Sequence, residues 1–137
     1  MNGMERKRIL VADDNRDAAD SLAVLLEWLG YEARACYDGD QAVRITETFQ
    51  PDLVILDINM PVMDGYEAAA HLRRREGDRL LLAAITAAPE WETSCKAAEI
   101  GFDVFFPKPM DGRDVEALLY RLHKGTPPPP KVDDSER

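Results

Sequence analysis

The stretch Asp52-Leu53-Val54-Ile55-Leu56-Asp57 is the centre of this sequence. Its four consecutive apolar residues, 53–56, predict a short strand that is buried on both faces, as strands are in a parallel sheet. The strand ends in a carboxylate, Asp57, and a loop rich in turn-forming residues follows. Open α/β sheets bind ligands at the carboxyl ends of their strands, so Asp57 is a candidate functional residue. Taken alone, the stretch fits equally well a strand that simply ends in a polar residue at the surface.

Strands and helices alternate five times along the whole chain. The predicted strands cover residues 8–12, 31–37, 53–56, 80–85 and 104–106, and a helix follows each of them. The first helix has an apolar stripe at Leu22, Leu25, Leu26 and Leu29, and the last has one at Val115, Leu118, Leu119 and Leu122. This alternation predicts a doubly wound α/β fold, with a five-stranded parallel sheet and helices on both of its faces. No GxGxxG motif follows the first strand, which disfavours a dinucleotide-binding fold.

Composition limits the classes of function. The net charge of −9 and the pI near 4.7 argue against non-specific binding to nucleic acid or to anionic membranes. The two cysteines, Cys36 and Cys95, form neither a CxxC pair nor a zinc-binding pattern, so a reducing cytoplasm is the simplest setting. No apolar segment resembles a signal peptide or reaches transmembrane length.

The 137 residues suffice for one domain with a proper core. We expect an N-terminal lead at residues 1–7, a domain at 8–125 and a proline-rich, disordered tail or linker at 126–137. Residues 126–137 contain no pattern typical of a DNA-binding helix-turn-helix or of an enzymatic domain. We therefore expect the chain to be either a stand-alone protein, which we slightly favour, or a piece of a longer one.

Polar side chains follow four of the five predicted strands. Asp13 and Asp14 come after the first strand, Asp57 after the third, Thr86 after the fourth and Lys108 after the fifth. Strand ends share one edge of a parallel sheet, and three carboxylates there would raise one another's pKa unless a cation neutralised them. Mg²⁺ suits such oxygen ligands. Together with an ammonium and a hydroxyl, the metal would make a phosphoryl site in which a carboxylate could act as nucleophile.

The motifs at these strand ends carry a family resemblance. They are Val11-Ala12-Asp13-Asp14-Asn15, Leu56-Asp57-Ile58-Asn59-Met60-Pro61-Val62-Met63-Asp64-Gly65, Ile85-Thr86-Ala87 and Phe106-Pro107-Lys108-Pro109. With them, residues 8–123 resemble the receiver domain of a two-component response regulator, in the CheY-like superfamily. The resemblance implies a flavodoxin-like sheet of strand order 2-1-3-4-5.

The resemblance also implies a phosphoryl-accepting site. Asp57 would accept a phosphoryl group from a phosphohistidine of a histidine kinase or of a histidine phosphotransfer protein. Asp14 would bind Mg²⁺, or Mn²⁺, directly and Asp13 through water, with Asp57 and the backbone carbonyl of Asn59 completing the metal ligands. Lys108 would pair with the phosphoryl oxygens.

The same resemblance implies a conformational switch. The hydroxyl of Thr86 would form a hydrogen bond with a phosphoryl oxygen, and Thr86 would move. This movement would open space for the aromatic ring of Phe105 to turn inward. The fourth helix, fifth strand and fifth helix would then present a changed face to an output partner or to a second copy of the chain. The Lys108–Pro109 bond would be cis. Phe105 stands where this family often has Tyr or His. Because phenylalanine has no hydroxyl, any part of the switch that needs a hydroxyl at this position is absent.

Other residues have simpler interpretations. Pro107 should stiffen the loop before Lys108. We expect the three arginines at 73–75 to form a solvated helix face. We expect His71 and His123 to lie at the surface and Cys36 to lie in the core. Cys95 could be exposed on the fourth helix. Trp91 is equally compatible with a partner contact and with partial burial.

Two other functions compete with the phosphorylation switch. A hydrolase of the haloacid dehalogenase type also forms an aspartyl phosphate with Mg²⁺, but its DxDxT motif follows the first strand, where this chain has none. A receiver-like binding module that signals without phosphorylation is compatible with Phe105 and Pro107, although the complete set of acids and Lys108 argues against it.

Overall fold

A computed structural model describes residues 6–87 and 91–124, and of residues 91–94 it describes the backbone only. The strands are β1 (Arg8–Ala12), β2 (Glu32–Cys36), β3 (Leu53–Asp57), β4 (Leu81–Thr86) and β5 (Val104–Pro107). The α-helices are α1 (Arg16–Trp28), α2 (Gly39–Phe49), α3 (Gly65–Glu76), α4 (Trp91–Ile100) and α5 (Gly112–Lys124). All strand pairs are parallel and the order is β2-β1-β3-β4-β5, which confirms the predicted fold class.

The strand β3 lies at the centre of the sheet and is buried along its whole length. Its side chains alternate between two hydrophobic clusters, so Val54 and Leu56 face one layer of helices while Leu53 and Ile55 face the other. Helices α2 and α3 contribute to the first cluster and helices α1 and α5 to the second. The continuous apolar stretch was therefore a correct signal of a strand covered on both faces.

The apolar stripe predicted for α1 is partly wrong. The residues that α1 buries against the sheet are Ala19, Ala23 and Leu26, whereas Leu25 and Leu29 are exposed. Two alanines on the buried face let the helix approach the sheet closely, and Leu25 lies about 100° away around the helix from Leu26. The stripe of α5 is confirmed, because Val115 and Leu118 are buried and the two other leucines pack against the same cluster.

The helix ends are fixed by short polar side chains and by glycine. Asn15 caps α1 by accepting a hydrogen bond of 3.1 Å from the backbone of Ala18, and Gly30 follows this helix with a φ of +102°. The side chain of Asp64 caps α3, and Glu67 bonds back to the Asp64 backbone as the second half of a capping box. These caps begin the helices directly after the loops that carry the polar strand-end residues.

The prediction of a solvated face at residues 73–75 is wrong for Arg73. Its guanidinium donates to the backbone carbonyls of Gly77, Leu80 and Gly101, and it forms an ion pair of 2.7 Å with Asp103. Arg73 therefore joins the end of α3 to the residues that follow α4 and precede β5. A run of three arginines gave no indication that one of them turns inward.

Several remaining predictions have clear outcomes. Cys36 is buried, whereas Cys95, His71 and His123 are exposed, as predicted. No described helix combines the length and the apolar character that a membrane crossing requires. The side chain of Trp91 and the tail at 126–137 lie outside the described residues, so the predictions for them stay predictions.

Candidate functional site

The site is built on the carboxyl ends of β1 and β3, the two neighbouring strands at the middle of the sheet. Asp13 follows β1 and Asp57 ends β3, and each residue is only 2% exposed. The backbone N–H groups of Asn15 and Asn59 donate to the two carboxylates at 3.0 and 3.1 Å. These two bonds run from the loop after each strand back to the carboxylate, so the backbone fixes both side chains in place. The alternative of a strand that merely ends in a surface polar residue is thereby excluded.

Lys108 reaches both buried carboxylates from the loop after β5. Its ammonium nitrogen lies 3.1 Å from an oxygen of Asp13 and 3.1 Å from Oδ2 of Asp57. Its backbone N–H donates to the carbonyl oxygen of Thr86 at 2.8 Å, which ties this loop to the end of β4. The Lys108–Pro109 bond is cis, as the resemblance implied.

Burial sets the protonation of Asp57. Loss of water around the carboxyl raises its pKa from 3.8 to about 6, with a further contribution from the charge of Asp13. Hydrogen bonds from Lys108 and from the backbone of Asn59 oppose this rise. Burial by itself lowers the pKa of Lys108, but its bonds to Asp57 and Asp13 outweigh burial and raise that pKa. The site therefore holds a protonated lysine and a carboxylate that ionises close to neutral pH.

The acids fit a divalent cation. Asp13, Asp14 and Asp57 each place a carboxylate oxygen within 4.8 Å of the other two. Asp14 is exposed while the other two are buried, so the cluster opens to water on one side. Hard oxygen donors with access for several waters are the coordination that Mg²⁺ prefers. The part of Asn59 that the structure places at the site is its backbone N–H, and metal ligation by its carbonyl stays a prediction.

Thr86 and Phe105 lie on the same face of the sheet. Phe105 is paired with Ala84, and Thr86 is two residues further along β4, so both side chains point toward the cluster beneath α3 and α4. Thr86 is buried and Phe105 is half-buried against that cluster. The two residues of the implied switch are thus on one face. The movement itself stays a prediction.

An apolar cleft beside the acids was missed by the sequence analysis. It has a volume of about 580 Å³ and lies between α1 and the loop after β5, with Asp13 and Lys108 at its edge. Its apolar lining includes Ala18, Leu22, Leu25, Pro109 and Met110. The signal was available, because α1 has more leucines than contact with the sheet requires.

The fold and the site together define a doubly wound α/β protein with an acidic site and a lysine at the carboxyl edge of its sheet. The sequence profile of the response regulator receiver domain matches residues 9–120. The chain belongs to that family, whose members are signalling domains of two-component systems.

Relatives and solved structures agree with this assignment. The chain is 33% identical over 129 residues to the response regulator MprA of Mycobacterium avium, a match that covers 94% of the chain and 55% of the relative. It is 35% identical to the alkaline phosphatase synthesis transcriptional regulatory protein PhoP of Bacillus subtilis, over 82% of the chain and 47% of the relative. The chain thus spans about half the length of these curated relatives.

A CheY-like receiver domain protein of Methanospirillum hungatei has a similar structure, with a TM-score of 0.81 and 27% identity over 87% of this chain and 95% of that one. The chemotaxis protein CheY4 of Vibrio cholerae shares the fold, with a TM-score of 0.79. The two sequences are 23% identical, and the match covers 86% of this chain and 99% of that one.

Proposed function

We propose that this receiver domain is a phosphorylation-dependent switch that accepts a phosphoryl group on Asp57. The observation that carries the proposal is the arrangement of Lys108 between two buried carboxylates, with a third carboxylate, that of Asp14, open to solvent. A structural ion pair would need one carboxylate. Two carboxylates in contact with one ammonium, and a third beside them, leave a net negative charge that favours a cation. A cation and an ammonium together favour binding of a phosphoryl group.

The proposed reaction is transfer from a phosphohistidine of a histidine kinase or phosphotransfer protein. An oxygen of the Asp57 carboxylate forms a bond to phosphorus while the bond from phosphorus to the imidazole nitrogen breaks. The electron pair of that bond stays on the donor imidazole, which takes up a proton. With a pKa of about 6, Asp57 is largely ionised at neutral pH and is ready to act as nucleophile.

Lys108 has two roles in this proposal. Before transfer, its ammonium compensates the buried charges of Asp13 and Asp57. During transfer it moves its contact from the Asp57 carboxylate to the incoming phosphoryl oxygens, and the hydroxyl of Thr86 donates to another of them. A Mg²⁺ ion held by Asp13, Asp14 and Asp57 would neutralise charge that develops on the phosphoryl oxygens.

The apolar cleft next to the acids is where we place the phosphoryl donor. A donor protein must bring its histidine to Asp57 from the open edge of the sheet, and the cleft offers apolar surface within that edge. The lining by Leu25 and Met110 suits an amphipathic helix of the donor. Contact there would orient the histidine without using the acids themselves.

The output is proposed at the face formed by α4, β5 and α5. Thr86 and Phe105 lie beneath this face, so a movement of Thr86 toward a phosphoryl group would alter the packing of the Phe105 ring. The readout is either an output partner or self-dimerisation through this face. A cytoplasmic location follows from the proposed source of the phosphoryl group.

Intact-mass measurement with acetyl phosphate tests the acceptor. We expect wild type to gain one phosphoryl group in the presence of Mg²⁺ and none in its absence. Asp57→Asn should gain none. Asp78→Asn changes an exposed carboxylate just before β4, at the amino-terminal edge of the sheet, and should behave as wild type. Phosphorylation of Asp57→Asn at the wild-type rate would contradict the proposal.

The same experiment separates the two alternative functions. No phosphorylation of wild type, despite Mg²⁺ binding, would favour a module that signals by binding alone. Sustained turnover of phosphate esters would favour a hydrolase.

The role of Lys108 has its own test. Lys108→Gln should lower the rate of phosphorylation by acetyl phosphate about 100-fold, because a preorganised charge at the phosphoryl oxygens is lost. Lys124→Gln changes an exposed lysine at the end of α5 and should leave the rate unchanged. Equal rates in both variants would show that Lys108 is only structural.

A further inference from the structure

The outward side of α1 carries a band of large apolar side chains. Trp28 is 85% exposed, Val24 57%, Leu29 51% and Leu25 44%. None of these four residues is needed to attach the helix, because Ala19, Ala23 and Leu26 do so. We call the four exposed residues the α1 band. An exposed tryptophan with three aliphatic neighbours is the kind of surface that marks an interaction site.

The α1 band borders a shallow groove between α1 and the edge strand β2. The groove has a volume of about 610 Å³ and is lined by Ala23, Val24, Glu27, Trp28 and Ala33. Its one charged group is the carboxylate of Glu27, which accepts a hydrogen bond of 2.9 Å from the Ala33 backbone. The groove thus combines an indole ring, aliphatic walls and one negative charge. It lies on the other side of α1 from the cleft beside the acids.

The chain leaves its described part next to this band. Helix α5 ends at Lys124, and the ring of His123 lies 5.7 Å from that of Tyr31, with the hydroxyl of Tyr31 at 2.5 Å from Nε2. Tyr31 is two residues beyond Leu29 at the end of α1. The last described residues of α5 therefore lie beside the Leu29 end of the α1 band.

The composition of this segment matches the groove. Thr126 is followed by four prolines, residues 127–130, and then by Lys131. Proline runs favour the polyproline II helix, which binds grooves lined by aromatic rings at a low cost in conformational entropy. Four residues of that helix span about 12 Å at about 3.1 Å each, and the α1 band from Leu29 to Val24 spans about 7.5 Å at 1.5 Å per helical residue. Lys131 complements Glu27 in charge.

We propose that residues 126–131 of the same chain lie across the α1 band, with proline rings against the indole of Trp28 and Lys131 near Glu27. Because the segment is covalently attached only a few residues away, its effective concentration at the groove is in the millimolar range, so weak contacts suffice. The contact would direct whatever follows residue 131 toward the β2 edge of the sheet, away from α4.

Fluorescence of Trp28 tests this contact. In a Trp91→Phe background, Trp28 is the only tryptophan. We expect its emission at shorter wavelength and its quenching by acrylamide roughly twofold slower in the full chain than in a chain that ends at Gly125, because one face of the ring is covered. The matched control replaces Pro127–Pro130 by Gly-Ser-Gly-Ser, which keeps length and charge, and should behave like the shortened chain.

Three outcomes decide the proposal. Tail-dependent shielding that is independent of protein concentration supports it. Equal emission and quenching with and without the tail overturns it. Shielding that persists in the Gly-Ser variant and increases with concentration, together with a dimer in light scattering, overturns it in favour of a second copy on the band. If Trp91→Phe does not fold, fluorine NMR of the fluorotryptophan-labelled wild type and its Gly-Ser variant reports the same contact.

Discussion

The carboxyl of Asp57 makes this domain less stable when it ionises. Its pKa is about 6 in the folded state against an ordinary 3.8, so the folded protein holds the proton more tightly than the unfolded chain does. Its contribution to stability is therefore complete below about pH 4 and is lost as the pH rises through about 6. The difference between the two pKa values corresponds to about 3 kcal/mol, of which water at the open edge screens a part.

We therefore predict that, without Mg²⁺, Asp57→Asn is more stable than wild type by about 2 kcal/mol near pH 7. The difference should shrink toward zero near pH 4. Urea unfolding of both proteins across this range measures it. A constant difference at every pH would mean that ionisation of Asp57 is not the cause.

At the scale of elements, the connection from β3 to α3 depends on a glycine. The N–H of Gly65 donates to the carbonyl of Ile58 at 2.8 Å. A Cβ at Gly65 would lie 2.7 Å from Cα of Ile58 and would collide with the carbonyl oxygen of Asp57. This close approach brings the start of α3 next to Asp57, the proposed phosphoryl acceptor.

Gly65→Ala should accordingly lower the free energy of unfolding by about 2–4 kcal/mol, because both contacts are with backbone that cannot turn aside. Gly112 is also the first residue of its helix, α5, but a Cβ there would meet nothing within 4 Å. Gly112→Ala should therefore be neutral or stabilising by up to about 1 kcal/mol. Equal effects in urea unfolding would contradict the packing argument.

Arg73 is a second residue on which the connection between elements depends. Arg73→Met leaves the carbonyls of Gly77, Leu80 and Gly101 without their donor and Asp103 without its cation. We expect a loss of about 2–4 kcal/mol in the free energy of unfolding. Arg74→Met is the control, since Arg74 is exposed, and should cost no more than about 0.5 kcal/mol. Similar losses in chemical denaturation would show that Arg73 is not the connecting residue.

At the scale of the whole molecule, metal binding should stabilise the fold. At a Mg²⁺ concentration about ten times the dissociation constant, wild type should gain about 1.4 kcal/mol against unfolding. Asp14→Asn should lose most of this gain, whereas Asp17→Asn, an exposed acid one turn away, should retain it. Thermal unfolding with Mg²⁺ and with EDTA measures the gain. A gain of the same size in Asp14→Asn would place the ion elsewhere.

Local sequence determined much of this protein. The unbroken apolar residues 53–56 specified a strand covered on both faces, and the alternation of strands and helices specified a parallel sheet. Strand ends of a parallel sheet meet at one edge, so the positions of Asp13, Asp57 and Lys108 in the sequence already indicated that they converge. Amino-acid pattern suffices for these features because each depends on periodicity and chain direction alone.

Other features were decided only by the tertiary structure. The sequence did not indicate that Arg73 turns inward or that alanines rather than Leu25 and Leu29 attach α1 to the sheet. Nor did it indicate that the backbone beside Asp57 leaves no room for a Cβ at position 65. A side chain's surroundings depend on which distant segments pack against it, and one arginine in a row of three looks like the others until those segments are in place. The raised pKa of Asp57 has the same origin, because burial by neighbours far away in sequence removes the water that would stabilise its charge.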